Sequence, residues 1–346
     1  MTAGLRASSG PLLSGYDAVL VDLDGVVYVG PTAVPGAREA IAATRAAGLR
    51  VAFITNNASR TPAVVAAHLM ELGIPAEPAD VVTAAQAAAA LLADRLPAGS
   101  AVLVTGAPAL LQAVAEAGFR PVGSADDLPA AVVSGYDNSL DYGRLAEATL
   151  AIRAGALWVA ANLDATMPSP RGLLPGNGAL VAAVAVATGG HPLSAGKPER
   201  ALYDEAVRRT RAERPLVVGD RLDTDIAGAV AAGIDSLLVL SGVAQPEDML
   251  TAPPRARPSF VAADLSGLLL SHPLPRVLDG VASCGGVSAA LDGSTVRVRP
   301  APGGTGPSAT GVDGLRAACS VVWPAADAGR LPAELRLVGL SAPWTN

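Results

Sequence analysis

Asp22 and Asp24 stand two residues apart at the end of the apolar run Val19-Leu20-Val21, and Gly25 follows them. A β-branched run of this kind predicts a buried strand with Asp22 at its C-terminal lip, the edge where open parallel α/β sheets bind ligands. Gly25 predicts a turn that lets Asp24 swing over the same place. Two carboxylates so close repel each other, so their pairing implies a cation, an acid–base role, or both. An ordinary strand ending in an Asp-Gly turn would look the same, and the other stretches of the chain must decide between the two.

Three of them bring polar groups to a strand or helix end. Residues 49–55 (LRVAFIT) predict a second buried strand that runs into Asn56 and Asn57, with Thr55 as its last residue. A helix over residues 35–48 joins it to the first strand, a right-handed βαβ unit whose strands are parallel. Residues 215–219 (PLVVG) predict a further strand with Asp220 at its lip, and Asp223 and Asp225 open the helix that follows. Lys197 precedes a helix over residues 198–210. It is the single lysine among 25 basic residues, in a chain otherwise committed to arginine. A position that stays lysine under such a bias needs a compact ammonium that a planar guanidinium cannot replace.

Clustered carboxylates, a lysine and a hydroxyl suit phosphoryl transfer with Mg²⁺, which takes oxygen ligands from one or two carboxylates plus a phosphate. One carboxylate can attack phosphorus and form an aspartyl-phosphate. The other can protonate the leaving alkoxide and later deprotonate water. The lysine, the hydroxyl and backbone N–H groups would offset charge on the equatorial oxygens.

The elements that must position these groups are those of an α/β protein. With 346 residues there is room for two domains and a small third. Aromatic residues make up only 3%, so the core is expected to be built from Ala, Val and Leu. Residues 1–16 are Ser/Gly-rich and read as a loose lead-in. Residues 1–82 and 191–272 read as a Rossmann-like parallel-sheet core. Between them, residues 83–190 alternate strands (101–105, 131–134, 156–161) with helices (107–117, 142–154, 177–188) and form an inserted α/β cap domain over the sheet edge. The tail, 276–346, carries a hairpin around Asp292-Gly293-Ser294 and a Pro/Gly/Ser-rich loop at 300–311. No catalytic cluster lies there, and it reads as a small packing or dimerisation module.

DLDGVVY, TNN, GKP and GDRLDTDI, in that order, resemble the four motifs of the haloacid-dehalogenase superfamily of phosphatases. The long insert between the second and third motifs is similar to the cap of the NagD-like, p-nitrophenylphosphatase-type subfamily, as is the pattern over residues 161–180. The resemblance implies Asp22 as nucleophile, Asp24 as general acid/base, and a metal site of Asp22, the Asp24 carbonyl and Asp220, with Asp225 holding metal-bound water. It further implies that Thr55, Asn56 and Asn57 bind the phosphoryl group, with Lys197 bridging it to Asp22. Ala58 departs from the serine common after the Asn pair. The substrate it suggests is a small phosphomonoester, glycerol 3-phosphate first, then phosphoglycolate or a sugar phosphate, with Asn162 and Asp164 as specificity candidates.

Rival readings fare worse. Gly196-Lys197 lacks the first glycine and the Ser/Thr of a P-loop, and Gly176-Asn177-Gly178 does not complete a dinucleotide fingerprint. His68, His191 and His272 form no zinc motif. A catalytically silent phosphate-binding module is the non-enzymatic alternative. A net charge of −6 argues against nucleic-acid partners. No apolar run reaches a membrane span, no signal-peptide order is present, and two cysteines without a CxxC indicate a cytoplasmic protein. A homodimer through the cap or the C-terminal module is left open.

Overall fold

The structure, a computed structural model, describes residues 4–169, 171–300, 310–332 and 334–340. Val19, Leu20 and Val21 lie within a strand, Ala18–Asp22, whose first four residues are at most 1% exposed. Burial on both faces is what a continuous β-branched run anticipates in a parallel sheet. This strand pairs in parallel with Pro215–Gly219, which pairs with Asp235–Val239, which pairs with Phe260–Ala262. Parallel neighbours need crossover connections, and helices flank the sheet accordingly. Helix Ala37–Ala46 buries Ala37, Ala40, Ile41 and Thr44, a three-to-four-residue spacing that makes one apolar stripe.

The chain forms two compact units. One comprises the residues up to Val51 and those from Ala212 onward, and the other is Ala52–Arg211. These divisions differ from those anticipated at 82/83 and 190/191. Within the second unit Phe53, Ile54 and Thr55 pair in parallel with Val81, Val82 and Thr83, and helix Ala84–Ala93 packs on helix Ala201–Thr210. Those contacts keep 84–93 with the residues on either side of the insert. The second unit also holds a five-stranded parallel sheet in the order Leu193–Ser194, Leu157–Ala160, Ala131–Ser134, Ala101–Thr105, Arg120–Val122, whose first strand lies beyond the anticipated insert. Leu103, Val132, Trp158, Val181 and Val184 form part of its core. An antiparallel hairpin, Thr166–Ser169 with Gly172–Pro175, interrupts the α/β alternation; its Pro168 and Pro175 obscured it as strand.

The C-terminal region is larger than its hairpin. Val287–Asp292 and Thr295–Pro300 pair with Asp292 opposite Thr295, as the Asp-Gly signal required. They belong to a five-stranded sheet that also takes in Arg276–Leu278, Val281–Cys284 and Arg336–Val338. A helix, Thr310–Asp327, packs across that sheet. Leu315, Cys319, Val322 and Trp323 of the helix and Ala282, Val287 and Val296 of the sheet share one hydrophobic core with Ile226, Leu238, Met249 and Val261. The anticipated 300–311 loop falls mostly on 301–309, outside the described residues. Residues 4–16 are not a loose lead-in: Leu12 and Leu13 are buried, and Ser8 forms a β-bridge with His272. Among the described residues, no helix is long and apolar enough to cross a membrane.

Candidate active site

In the first unit the carboxylates converge because separate turns of the chain are built around them. After Asp22 the chain folds back at once: the Leu23 carbonyl accepts from Val27 N–H at 2.9 Å, and Gly25 N–H donates to the Tyr28 carbonyl at 2.8 Å. Gly25 adopts φ +82°, a conformation that L side chains rarely take. A Cβ there would also lie 2.8 Å from Asp220 Cγ and 3.1 Å from Gly242 Cα. Asp24, next to it, is exposed.

Asp220 leaves the Pro215–Gly219 strand and is 1% exposed. The Val243 N–H donates to its Oδ2 at 2.7 Å, and the Ala244 N–H donates to its backbone carbonyl at 3.0 Å. Ser241 Oγ donates to the Gly25 carbonyl at 2.8 Å and so joins the two loops. Asp225 lies in the wide π-type turn Leu222–Ile226, also 1% exposed. Its Oδ2 accepts from the Arg221 N–H at 3.1 Å, and its side chain packs against Gly219 where any Cβ would overlap it. Asp223 points elsewhere: its carboxylate takes two hydrogen bonds from the Arg221 guanidinium, 3.1 and 2.8 Å. Those bonds hold its carboxyl below the usual range.

Oxygens of Asp22, Asp220 and Asp225 all lie within 4.8 Å of one another. Three carboxylates that close, two of them buried, are stable together only with a cation or bound protons. Glycines at 25, 219 and 242 provide the room, since a Cβ at any of them would occupy space that Asp220 or Asp225 uses. An all-oxygen donor set is the chemistry of a hard divalent ion such as Mg²⁺, so the residues fit that group.

In the second unit Thr55, Asn56, Asn57, Asn162, Asp164 and Lys197 come together. Thr55 ends its strand at 5% exposure, and its Oγ1 accepts from the Asn57 N–H at 3.1 Å. The Asn57 Oδ1 in turn accepts from the Ser59 N–H at 2.7 Å and the Ser59 hydroxyl at 2.8 Å. Lys197 is only 5% exposed. Its peptide is held by Asn56: Oδ1 accepts from Lys197 N–H at 2.7 Å, and Nδ2 donates to the Lys197 carbonyl at 3.4 Å. The same Nδ2 donates to the Asp164 carboxylate at 3.2 and 3.3 Å. Asn162 Nδ2 donates to the Asn56 carbonyl at 2.7 Å. Asn177, at the start of the helix Asn177–Thr188, is 2% exposed and donates to the Asn162 carbonyl at 2.7 Å. No sequence signal marks it, because its partners are backbone atoms of distant loops.

The haloacid dehalogenase-like hydrolase family matches residues 19–120, and the related HAD-hydrolase-like family matches residues 194–268. The chain is 53% identical over 253 residues to the D-glycerol 3-phosphate phosphatase of Mycobacterium tuberculosis, covering 73% of this chain and 71% of that one. It is 39% identical to the acid sugar phosphatase of Staphylococcus aureus, over 68% of this chain and 90% of that one. The crystal structure of a glycerol phosphate phosphatase from Mycobacterium tuberculosis in complex with magnesium superposes with a TM-score of 0.83 at 44% identity. It covers 96% of this chain and 94% of that one. A p-nitrophenyl phosphatase from Archaeoglobus fulgidus superposes at TM-score 0.68 and 26% identity, covering 98% of its own chain but 73% of this one. The mycobacterial likeness therefore extends over more of this chain than the archaeal one does.

Proposed function

The chain belongs to the haloacid dehalogenase-like hydrolases, and from that premise we propose that it is a Mg²⁺-dependent phosphatase that converts glycerol 3-phosphate to glycerol and phosphate. The observation that carries the reading is the Asp22, Asp220, Asp225 cluster at the C-terminal ends of paired parallel strands.

Asp22 is the nucleophile: its carboxylate oxygen forms a bond to phosphorus as the ester oxygen leaves. Asp24, on a turn and exposed to solvent, gives that oxygen a proton and later takes one from the water that cleaves the aspartyl-phosphate. Its exposure suits a group that must exchange protons in both half-reactions. The Thr55 hydroxyl, whose oxygen already accepts from Asn57 N–H, donates to a phosphoryl oxygen, and the Asn56 N–H does the same with Asn57 beside it. Lys197 offsets the charge that spreads over the equatorial oxygens. Asp22, Asp220 and the Asp24 carbonyl would hold Mg²⁺, and Asp225 would support it from behind them. Bound there, the ion offsets the mutual repulsion of carboxylates and phosphate.

Glycerol 3-phosphate leads because the mycobacterial relative of that activity is similar over most of both chains. A sugar phosphate is second, favoured by the acid sugar phosphatase likeness, with phosphoglycolate after it. A silent phosphate-binding module is the reading to beat, and every residue of the four motifs argues for turnover. Free, buried Cys284 and Cys319 support a reducing compartment, the cytoplasm. Exposed Val277, Leu278 and Val281 on the C-terminal sheet support homodimerisation there, which sedimentation would read.

The test is phosphate release by the purified protein with Mg²⁺ from a panel of phosphomonoesters. Glycerol 3-phosphate should give the highest kcat/KM. A sugar phosphate or phosphoglycolate preferred by more than about tenfold would overturn the substrate assignment.

A further inference from the structure

We infer that Asn162 and Asp164 are positioning residues for Lys197, acting through Asn56, and are not the groups that select the substrate. The inference rests on the phosphatase reading above for the role of Lys197. The geometry stands apart from it.

Asn56 bridges two loops with one amide. Its Oδ1 takes the Lys197 N–H while its Nδ2 faces both the Lys197 carbonyl and the Asp164 carboxylate. Turning the amide over would set its oxygen against a carboxylate and a carbonyl and its NH₂ against an N–H, so the orientation is fixed. The backbone of Asn56 is fixed as well, by the Asn162 amide on its carbonyl. Asn162 is held by Asn177, whose Nδ2 reaches the Asn162 carbonyl at 2.7 Å and the Ser134 carbonyl at 3.3 Å. Gly196 leaves the space this requires: a Cβ there would sit 2.6 Å from Asn56 Oδ1 and 2.7 Å from the Ala161 carbonyl.

The result is a relay from a buried helix start, Asn177, through Asn162 and Asn56 to the peptide of Lys197. Asp164 orients the middle member. Both oxygens of the Asp164 carboxylate face the Asn56 amide, so the contact that orients Asp164 is the one that orients Asn56. A buried lysine on a mobile backbone would lose the fixed geometry on which charge stabilisation depends.

The lone lysine makes this testable without reference to turnover. Carbon-13 labelling at the lysine side chain gives one resonance, from Lys197, in the full-length protein. Asp164→Ala and Asn162→Ala should each shift that resonance in substrate-free enzyme. Each should lower kcat about 10- to 100-fold and leave KM within about threefold. Asp164→Asn keeps an acceptor oxygen and should restore both the resonance and most of kcat. Asn162→Asp keeps the shape, loses the donor and should behave like Asn162→Ala, which covers a poorly folded alanine variant. A raised KM with the lysine resonance unmoved would overturn the inference and make these residues substrate contacts. Wild-type enzyme that releases no phosphate from any ester would instead sink the phosphatase reading, and the resonance would still decide the positioning.

Discussion

Arg257 and Asp327 face each other in a forked pair, with Nη1–Oδ2 at 2.8 Å and Nη2–Oδ1 at 2.7 Å, although 70 positions separate them in sequence. The Arg257 guanidinium also lies 5.0 Å from the ring centre of Trp323, whose indole N–H donates to the Met249 carbonyl at 3.0 Å. The C-terminal helix is thereby fastened to the strand-bearing core by an ion pair, a cation–π contact and a buried ring. Trp323→Ala should therefore cost about 3–5 kcal/mol of unfolding free energy, since it empties a large site in a shared core. Urea titration reads this. A loss below about 1 kcal/mol would show that the helix and the core do not share stability.

A second prediction concerns pH and the same junction. His272 is 1% exposed; its Nε2 lies 2.8 Å from the Gly267 carbonyl and its Nδ1 2.8 Å from Arg316 Nη2. Arginine only donates, so Nδ1 is the acceptor and the ring is neutral with its proton on Nε2. The groups facing it are Arg316 and, beyond that guanidinium, Asp313 and the Cys284 thiol. Burial first, and then the Arg316 charge, push its pKa below the ordinary histidine value of 6.5. A group depressed on folding adds stability that is whole above the unfolded pKa and lost as pH falls toward the folded one. The melting temperature should therefore drop below about pH 6.5. His272→Gln, which keeps an acceptor but cannot titrate, should flatten that part of the profile. An unchanged slope in the variant would assign the acid sensitivity to other groups.

Glycines at the carboxylate cluster give a third. Gly25→Ala should all but abolish Mg²⁺ binding, read by calorimetry, because its Cβ would displace Asp220. Gly30 also has positive φ, +57°, but nothing within 4 Å of its Cβ position. Gly30→Ala should cost only the backbone strain of about 1–2 kcal/mol and leave metal affinity intact. Equal loss of affinity in the two variants would show that space around Asp220 is not what glycine provides.

Leaving groups separate the two motif carboxylates. Asp24→Asn should slow an alkyl phosphate by at least about 100-fold more than p-nitrophenyl phosphate, because nitrophenolate departs without a proton. Equal losses on both substrates would remove Asp24 from the acid's role.

Much of this was legible in the sequence where apolar runs end in charged residues. The strands leading to Asp22 and Asp220 are continuous apolar stretches whose ends a parallel sheet aligns, and the run into Thr55 reads in the same way. The C-terminal helix was not legible, because Gly311, Gly314 and Pro324 within it mimic a loop. Gly314 is used there for close packing, with a Cβ position 2.9 Å from Val298 Cγ1. The anchoring of residues 4–16 was hidden for another reason: its buried leucines, Leu12 and Leu13, are adjacent in a Ser/Gly-rich stretch and make no periodic pattern. The Asn177–Asn162–Asn56 relay works through backbone carbonyls, which leave no mark on residue spacing.

In the proposed reaction Asp22 carries the phosphoryl group, which rapid acid quench of a single turnover with phosphorus-labelled glycerol 3-phosphate would trap. Label should appear transiently in protein, in the peptide containing Asp22 and in a hydroxylamine-sensitive form, before free phosphate accumulates. Asp22→Asn should show neither the labelled peptide nor turnover. Phosphate release by the asparagine variant at a rate near that of wild type, or a label that maps to another residue, would show that Asp22 is not the nucleophile.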